Sequence, residues 1–396
     1  MYTGLAILAV FTFAFSLLSA RIDRLPTSAP VVFVLAGVLL GPLGLGWFSD
    51  DMGRSQFRIL VDLTLAVILF TDAANSNLNV LRRNWKLPAR MLGIGLPGSM
   101  LLGALLAMAL FEVLSPYEAA VVGVMLAATD AALGKAVVTN EKVPASLRET
   151  LNCESGLNDG LCVPFLLVFL ALASGGEGES ASRLVAEELG IGAAVGASLA
   201  VVGGWLLRES HRRGWISSVW LQLCLPSLAL CCFAIAQSMH GSGYIAAFVG
   251  GIVFGAIAKD GIHQLAMPAE GIGEAMAMLT WMGFGVLVIG QSLPLVTWPM
   301  LLFAVLSLTV VRMLPVAISL VGSGESAANV AFLGWFGPRG LASVVFAIMV
   351  VEAELANSAL IAMIVTCTVA LSLLLHGVTA NPLADRISRT GASGTE

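Results

Sequence analysis

Charge is what this 396-residue chain has least of: Asp, Glu, Lys and Arg make up 11% of it, against 58% hydrophobic residues and a mean hydropathy of +0.92. A water-soluble domain carries about a quarter charged residues, so that class is excluded. Basic residues do not outnumber acidic ones, 20 against 25, which leaves no basic face for nucleic acid. Histidine occurs four times, at 211, 240, 263 and 376, near the ends of predicted segments and never in a cluster. The six cysteines (153, 162, 224, 231, 232 and 367) sit in apolar runs without metal-ligand spacing, and the pair Cys231-Cys232 makes no C-x-x-C motif. No metal cofactor is expected. The first apolar run has no basic flank before it and no A-x-A site after it, so it is expected to stay as a helix.

What abounds is apolar sequence in lengths that match a bilayer. Crossing a hydrocarbon layer of about 30 Å takes about 20 helical residues. That ruler predicts an all-α polytopic membrane protein with about thirteen transmembrane helices. They fall near 3–20, 30–47, 58–74, 90–113, 117–135, 149–173, 186–207, 218–238, 243–258, 270–291, 297–320, 328–352 and 355–377. Fifteen Lys and Arg residues lie in alternate loops and the tail, from Arg21 and Arg24 through Arg82, Arg83 and Lys259 to Arg386 and Arg389. Only Arg54, Arg58 and Arg183 lie on the other side. Positive charge marks the cytoplasm, so the chain is expected in the plasma (inner) membrane with its N-terminus outside and its C-terminus inside. Loops of roughly 15 residues and a tail of about 19 are too short for a soluble catalytic or regulatory domain. Function is therefore expected inside the membrane.

An ionised side chain near the bilayer centre costs at least about 2.5–3.5 kcal/mol, which makes each one a functional candidate. Asp130 in span 5, Glu154 and Asp159 in span 6, Arg312 in span 11 and Arg339 in span 12 are so placed. Asp62 and Asp72 belong to span 3, and Glu274 opens span 10. Asp159 comes about 16 Å from the membrane face, and Asp130, Arg312 and Arg339 reach a similar depth. Structural ion pairs gluing helices together are the alternative, open above all for Glu154 and the arginines.

Two spans carry breaks. Span 5 reads A-A-T-D-A-A-L-G through Thr129, Asp130 and Gly134; span 12 reads L-G-W-F-G-P-R-G through Gly334, Gly337, Pro338, Arg339 and Gly340. Glycine tolerates non-helical angles, and proline lacks an amide donor. The breaks lie seven spans apart, an odd number, so the two segments run in opposite directions. That is the pattern of an inverted repeat, spans 4–6 matching spans 11–13, and interrupted segments point to a transporter's binding site. Span 6 adds C-E-S-G-L-N-D-G from 153 to 160. Helical spacing puts Ser155 and Asp159 on one face with Glu154 and Asn158 adjacent. Their hard oxygens suit alkali ions, although Ser155 and Asn158 could equally serve in capping or helix–helix hydrogen bonds.

At these residues the sequence resembles the monovalent cation:proton antiporters of the NhaP type, relatives of the animal sodium/proton exchangers, over nearly the whole chain. Thr129-Asp130 resembles the family's T-D-P motif, and Glu154-Ser155 with Asn158-Asp159 resembles E-S-x-x-N-D. Arg339 in G-P-R-G resembles G-x-R-G, and Arg312 in V-R-M-L-P matches the arginine of the penultimate core helix. The resemblance implies a transporter rather than an enzyme, with two broken helices crossing in the core. It implies exchange of Na⁺ or Li⁺ for H⁺ by alternating access, with pH homeostasis as the role. One-for-one, electroneutral stoichiometry follows from asparagine at 158 in place of a second aspartate.

In the same reading Asp159 is the carboxylate that takes either cation or proton, and Asp130, Thr129 and Ser155 complete a Na⁺ site. Asn158 organises the crossing, Glu154 pairs with Arg312, Arg339 ties the broken span to its neighbours, and Asp72 is a nearby cavity-lining acid. Residues 1–89 and 175–295 would be scaffold and dimerisation helices, 90–174 and 296–378 core transport helices, and 379–396 a short cytoplasmic tail. A homodimer in membrane lipid is implied, with monovalent cations and protons as its other partners and no cofactor. Ala131 departs from the family's proline, Pro338 is unusual in the second break, and Gly156 is a source of looseness in span 6. Potassium/proton exchange on the same scaffold and a passive cation channel are the rival readings. Ion-replacement assays separate the first, and obligatory proton counterflow the second.

Overall fold

In hydrocarbon only helices and closed barrels satisfy their own backbone groups. The computed structural model describes residues 2–22, 27–47, 54–75, 85–130, 133, 135–138, 140, 142–175, 178–258 and 262–392, and every regular element among them is a helix. In chain order these are α1 (Tyr2–Ile22), α2 (Ala29–Leu40), α3 (Arg54–Asn75), α4 (Lys86–Leu110), α5 (Pro116–Met125), α6 (Lys135–Val138), α7 (Ala145–Ala173) and α8 (Gly178–Arg212). There follow α9 (Ser218–Ser238), α10 (Gly243–Ala258), α11 (Ile262–Phe284), α12 (Trp298–Ser319), α13 (Ala327–Trp335), α14 (Leu341–Glu352) and α15 (Ser358–Ala392). Among the described residues seven helices are long and apolar enough to cross a membrane, and four shorter apolar helices accompany them. That measure does not reach thirteen, because α3 carries Arg58, Asp62 and Asp72, α1, α2 and α10 count among the shorter apolar helices, and two spans are divided. Arg24, Arg82, Arg83, Lys259, Ala131 and Gly134 lie outside the described residues.

Three local features depart from the sequence reading. The last helix does not stop near 377 but continues to Ala392, so most of the expected tail is helical. The reason is an apolar stripe: Ala380, Ala384 and Ile387 recur at helical spacing and are buried against Val143, Leu147, Phe332 and their neighbours. Wide π turns interrupt α4 at Met91–Gly95 and α12 at Ser307–Val311, and extend α11 over Gly285–Ile289. The second leads straight into Arg312 and re-aims the residues that follow it. The helix α7 runs unbroken through Gly156 and through Pro164.

The helices pack in two groups. One gathers α2, α3 and α8–α11; the other gathers α4, α5, α7 and α12–α15, with α7 also lying against α3, α8 and α10. In the first group the backbones of α2 and α11 come so close that a Cβ at Gly37 would strike the Met282 carbonyl, and one at Gly285 the Val34 carbonyl. Glycine at such contacts lets helices approach where lipid offers no hydrophobic drive. In the second group α5 starts on a full capping box. The Ser115 hydroxyl accepts the Glu118 amide, and the Glu118 carboxylate accepts the Ser115 amide at 2.9 Å. The amide of Asn357, in the turn between α14 and α15, also donates to Glu118 at 3.1 Å. The helix carrying the first break is thus fixed at its start to the neighbours of the second.

Candidate functional site

Backbone that leaves a helix inside a membrane must find other partners for its N–H and C=O groups. After Met125 the Leu126 and Ala127 amides turn back on α5, to the Val122 and Val124 carbonyls at 3.1 Å, while most of the carbonyls go to side chains from elsewhere in the fold. The Met125 carbonyl accepts from Ser343 Oγ at 2.7 Å, and the Ala127 and Ala128 carbonyls accept from Arg339 at 2.9 and 3.2 Å. The Thr129 carbonyl accepts from Ser155 Oγ at 2.7 Å, while the Thr129 N–H donates to Asn158 Oδ1 at 3.3 Å. Asn158 also donates to the Thr129 hydroxyl at 2.5 Å.

The second break runs from Phe336 to Gly340, between α13 and α14. Its first amides fold back on α13, Phe336 to Phe332 at 3.0 Å and Gly337 to Trp335 at 2.8 Å. The Arg339 amide donates to Ser372 Oγ at 2.7 Å. The two breaks then hold each other. The Asp130 N–H donates to the Pro338 carbonyl at 2.8 Å, and Asp130 Oδ2 accepts the Leu341 amide, the first of α14, at 3.0 Å. Asp130 thereby caps a helix it does not belong to, its carboxylate set at the positive end of that helix's dipole. Gly340 leaves room for this, because a Cβ there would overlap the Asp130 carboxyl group.

Beneath the breaks lies a buried ion pair. Arg312 grips Glu154 with both terminal nitrogens, at 2.7 and 2.8 Å, and each side chain is 1% exposed. The fork matches a carboxylate in two parallel bonds, which fixes orientation as well as charge. Gly337 passes directly over the guanidinium, where a Cβ would collide with Arg312 Nε. Arg339 is fully buried and its guanidinium bonds to carbonyls, with Nε and one terminal nitrogen lacking a hydrogen-bond partner among the described residues.

Asp159, Asp130, Ser155 and Asp72 line one cavity of about 430 Å³ between α3, α7 and α11. Asp159 is 9% exposed, and its Oδ1 is buried with no hydrogen-bond partner among the described residues. Ser155 points its hydrogen at the Thr129 carbonyl, which leaves oxygen lone pairs for an electropositive guest. Thr129 and Asn158 do not line this cavity; they stand behind it and tie the first break to α7. Along α7 the lining runs from Asp159 to Arg148 and Glu149, about 16 Å toward the loop that begins the helix. Glu270 and Glu274 of α11 line it too, and Glu270 accepts from Asn75 at 2.5 Å.

The sequence reading did not single out Glu270, Ser343 or Ser372. Glu270 sits near a predicted span end and reads as solvated, and lone serines in apolar helices carry no signal of their own partners.

The transmembrane sodium/hydrogen exchanger family model matches residues 7–386, and the chain belongs to that family. The chain is 25% identical over 367 residues to Na(+)/H(+) antiporter 2 of Zygosaccharomyces rouxii, covering 86% of this chain and 45% of that protein. To K(+)/H(+) antiporter NhaP2 of Shewanella sp. (strain MR-4) it is 25% identical over 375 residues, covering 93% and 64%. The chain thus spans about half to two-thirds of the length of these relatives. Its fold resembles the sodium proton antiporter MjNhaP1 from Methanocaldococcus jannaschii, with a TM-score of 0.77 at 20% identity over 95% of this chain and 98% of that one. The protein is an integral membrane protein of the exchanger fold.

Proposed function

We propose that the chain exchanges a monovalent cation for a proton by competition at Asp159, in a cavity reached from one side of the membrane at a time. The observation that carries this is the nearly buried carboxylate of Asp159, its Oδ1 without a hydrogen-bond partner among the described residues, beside Ser155 and Asp130 at the meeting of two broken helices. A buried carboxylate is unfavourable when charged and alone, and either a proton or a cation relieves that. The two therefore compete for one place. The loaded site is neutral and can move; the empty site is charged and resists movement, which couples the two fluxes. With Asn158 beside a single such aspartate, the exchange is one-for-one and electroneutral.

One-sided access is supported by the two ends of α3. Near Asp72 the cavity extends toward Arg148, Glu149 and Glu270, at the ends of helices whose loops carry the excess of Lys and Arg. By the positive-inside rule this is the cytoplasmic side, with the N-terminus outside. About 21 Å away along α3, Arg58 joins Glu352 of α14 and approaches Asp62 at 3.4 Å, while the Tyr244 hydroxyl donates to Asp62 at 2.7 Å. That cluster closes the outer end between the two packing groups. The first group serves as scaffold and, in a homodimer, as the contact between copies; the second carries the site and moves.

Sodium or lithium is the proposed cation. Potassium is the second reading, favoured by the relatives named for K⁺/H⁺ exchange. The test is dye-reported pH change in proteoliposomes on adding Na⁺, Li⁺ or K⁺. Asp159→Asn is expected to abolish cation-dependent proton movement while still inserting, and retained exchange would remove Asp159 from the mechanism. Exchange that generates current under a clamped potential would reject the stoichiometry. Sodium flux without proton counterflow would indicate a channel instead.

A further inference from the structure

The second break has a buckle that the exchange reading leaves unused. On α15, one turn apart, Ser372 and His376 face its two ends. Ser372 Oγ accepts the Arg339 amide at 2.7 Å, on the α14 side. His376 Nε2 lies 2.9 Å from the carbonyl of Trp335, the last residue of α13. A carbonyl can only accept, so this bond forms in the tautomer that carries its hydrogen on Nε2. The other ring nitrogen, Nδ1, lies 3.1 Å from the Ser372 hydroxyl and 3.0 Å from the Ser372 carbonyl. With the hydrogen on Nε2, Ser372 can donate to Nδ1 while still accepting from Arg339, which directs a chain from the Arg339 amide through Ser372 and His376 to the Trp335 carbonyl; the other tautomer would donate to the Ser372 carbonyl instead. His376 is 1% exposed and stacks on the Trp335 ring at 5.1 Å.

The length of the break is therefore measured by one helical turn of α15. Trp335 ends α13 on one nitrogen of His376, and Arg339 is hung from Ser372 four residues away. Between them lies Pro338, whose carbonyl takes the Asp130 amide, and just beyond lies Leu341, whose amide holds the Asp130 carboxylate. A shift of either anchor moves both contacts of Asp130 together.

We propose that His376 is a positioning residue: through the Trp335 carbonyl, and with Ser372, it sets where α13 ends and α14 begins, and hence where Asp130 is held in the cavity. The part concerning cation binding rests on the proposed function; the part concerning the break does not. The test is therefore made on the full chain in detergent or lipid nanodiscs, with two readouts. Hydrogen exchange in a peptide covering 336–341 is expected to quicken about tenfold in His376→Phe, with α5 and the interior of α14 unchanged. His376→Gln, whose amide N–H can still reach the carbonyl, is expected to recover at least part of the protection. Ser372→Ala, a smaller change, should expose the Arg339 amide independently, and Trp335→Phe should keep the protection because it keeps the carbonyl.

Unchanged exchange in His376→Phe overturns the proposal. So does a uniform rise over all helices, or a rise in Trp335→Phe as large as in His376→Phe, either of which assigns His376 to packing. In proteoliposomes His376→Phe is expected to raise the apparent cation KM about fivefold, with Vmax within about twofold of wild type. An equal loss of both, or an unchanged KM, overturns the link to Asp130. Absence of exchange in the wild type overturns the exchange reading and leaves hydrogen exchange to decide the role of His376.

Discussion

The two breaks do the same thing, letting the chain leave a helix at depth, but they are held open differently. The first, once the Leu126 and Ala127 amides have turned back on α5, is completed from outside. Its Met125, Ala127, Ala128 and Thr129 carbonyls are taken by Ser343, Arg339 and Ser155, and its Thr129 amide by Asn158. The second begins likewise, with Phe336 and Gly337 turning back on α13, and takes foreign groups at Trp335, Pro338 and Arg339. A break without local helix breakers lives on its neighbours; one with Gly337, Pro338 and Gly340 carries much of its shape in its own sequence. Removing neighbours should therefore hurt the first break more, and removing local residues the second.

The largest effect is expected where the two share a support. Glu154 lies beside Asn158 at 3.4 Å, and Arg312 lies under Gly337. Glu154→Gln leaves a fully buried guanidinium without its counter-charge and should destabilise by about 3–5 kcal/mol. Replacing both partners by leucine or methionine should recover most of that, because an apolar pair of similar volume removes the desolvation penalty along with the attraction. Unfolding in mixed micelles measures both, and a double variant no better than the single one would mean the pair sets the fold's geometry as well as its charge balance.

Next comes Arg339→Gln. The residue belongs to the second break, yet its terminal nitrogen serves the Ala127 and Ala128 carbonyls of the first. Two buried acceptors left short at about 1–2 kcal/mol each predict a loss of about 2–4 kcal/mol. Faster hydrogen exchange should then appear around 126–130 before it appears around 336–341. The reverse order would place the weight of Arg339 on its own strand of chain. Gly340→Ala follows, expected to cost about 1–3 kcal/mol through overlap with the Asp130 carboxyl, with weakened apparent cation affinity in proteoliposomes. An Asp130 that tolerates this methyl group with no change in affinity would not be held as tightly as its two contacts imply.

This difference between the breaks also decided what could be read from residues alone. Helical spans, charges at depth and the position of both breaks follow from hydropathy and from Gly, Pro and buried acids, which are local signals. Thr129, Asp130, Ser155, Asn158 and Asp159 drew notice because polar groups are rare in such segments. Which of them face the cavity was not legible: it depends on how α3, α7 and α11 close around it, and Asn158 turns instead to the amide and hydroxyl of Thr129. Asp72 and Glu270 come to the same cavity from helices far apart in sequence, which spacing along the chain cannot reveal. The run of α15 past 377 was hidden by the ruler itself, since about 20 residues suffice to cross hydrocarbon while Ala380, Ala384 and Ile387 continue the stripe. The π turn before Arg312 has no residue signature to read.

The smallest predicted effects make the sharpest comparison. Ser343→Ala removes one foreign donor from the first break, the partner of the Met125 carbonyl, and should cost about 1 kcal/mol or somewhat more, because the carbonyl is left buried. Pro338→Ala removes the most conspicuous local breaker from the second, yet should cost less, about 0.4–1 kcal/mol, mainly through the added freedom of the unfolded chain. The carbonyl that takes the Asp130 amide is backbone and survives the substitution, and Gly337, Gly340, Ser372 and His376 still fix the turn. Measured side by side in the same micelles, a greater loss for Pro338→Ala than for Ser343→Ala would mean that the proline makes the second break and the buckle on α15 merely follows it. The opposite order would mean that packing against α15 makes the break, and that Pro338 is there because a residue already outside the helix has no use for an amide proton.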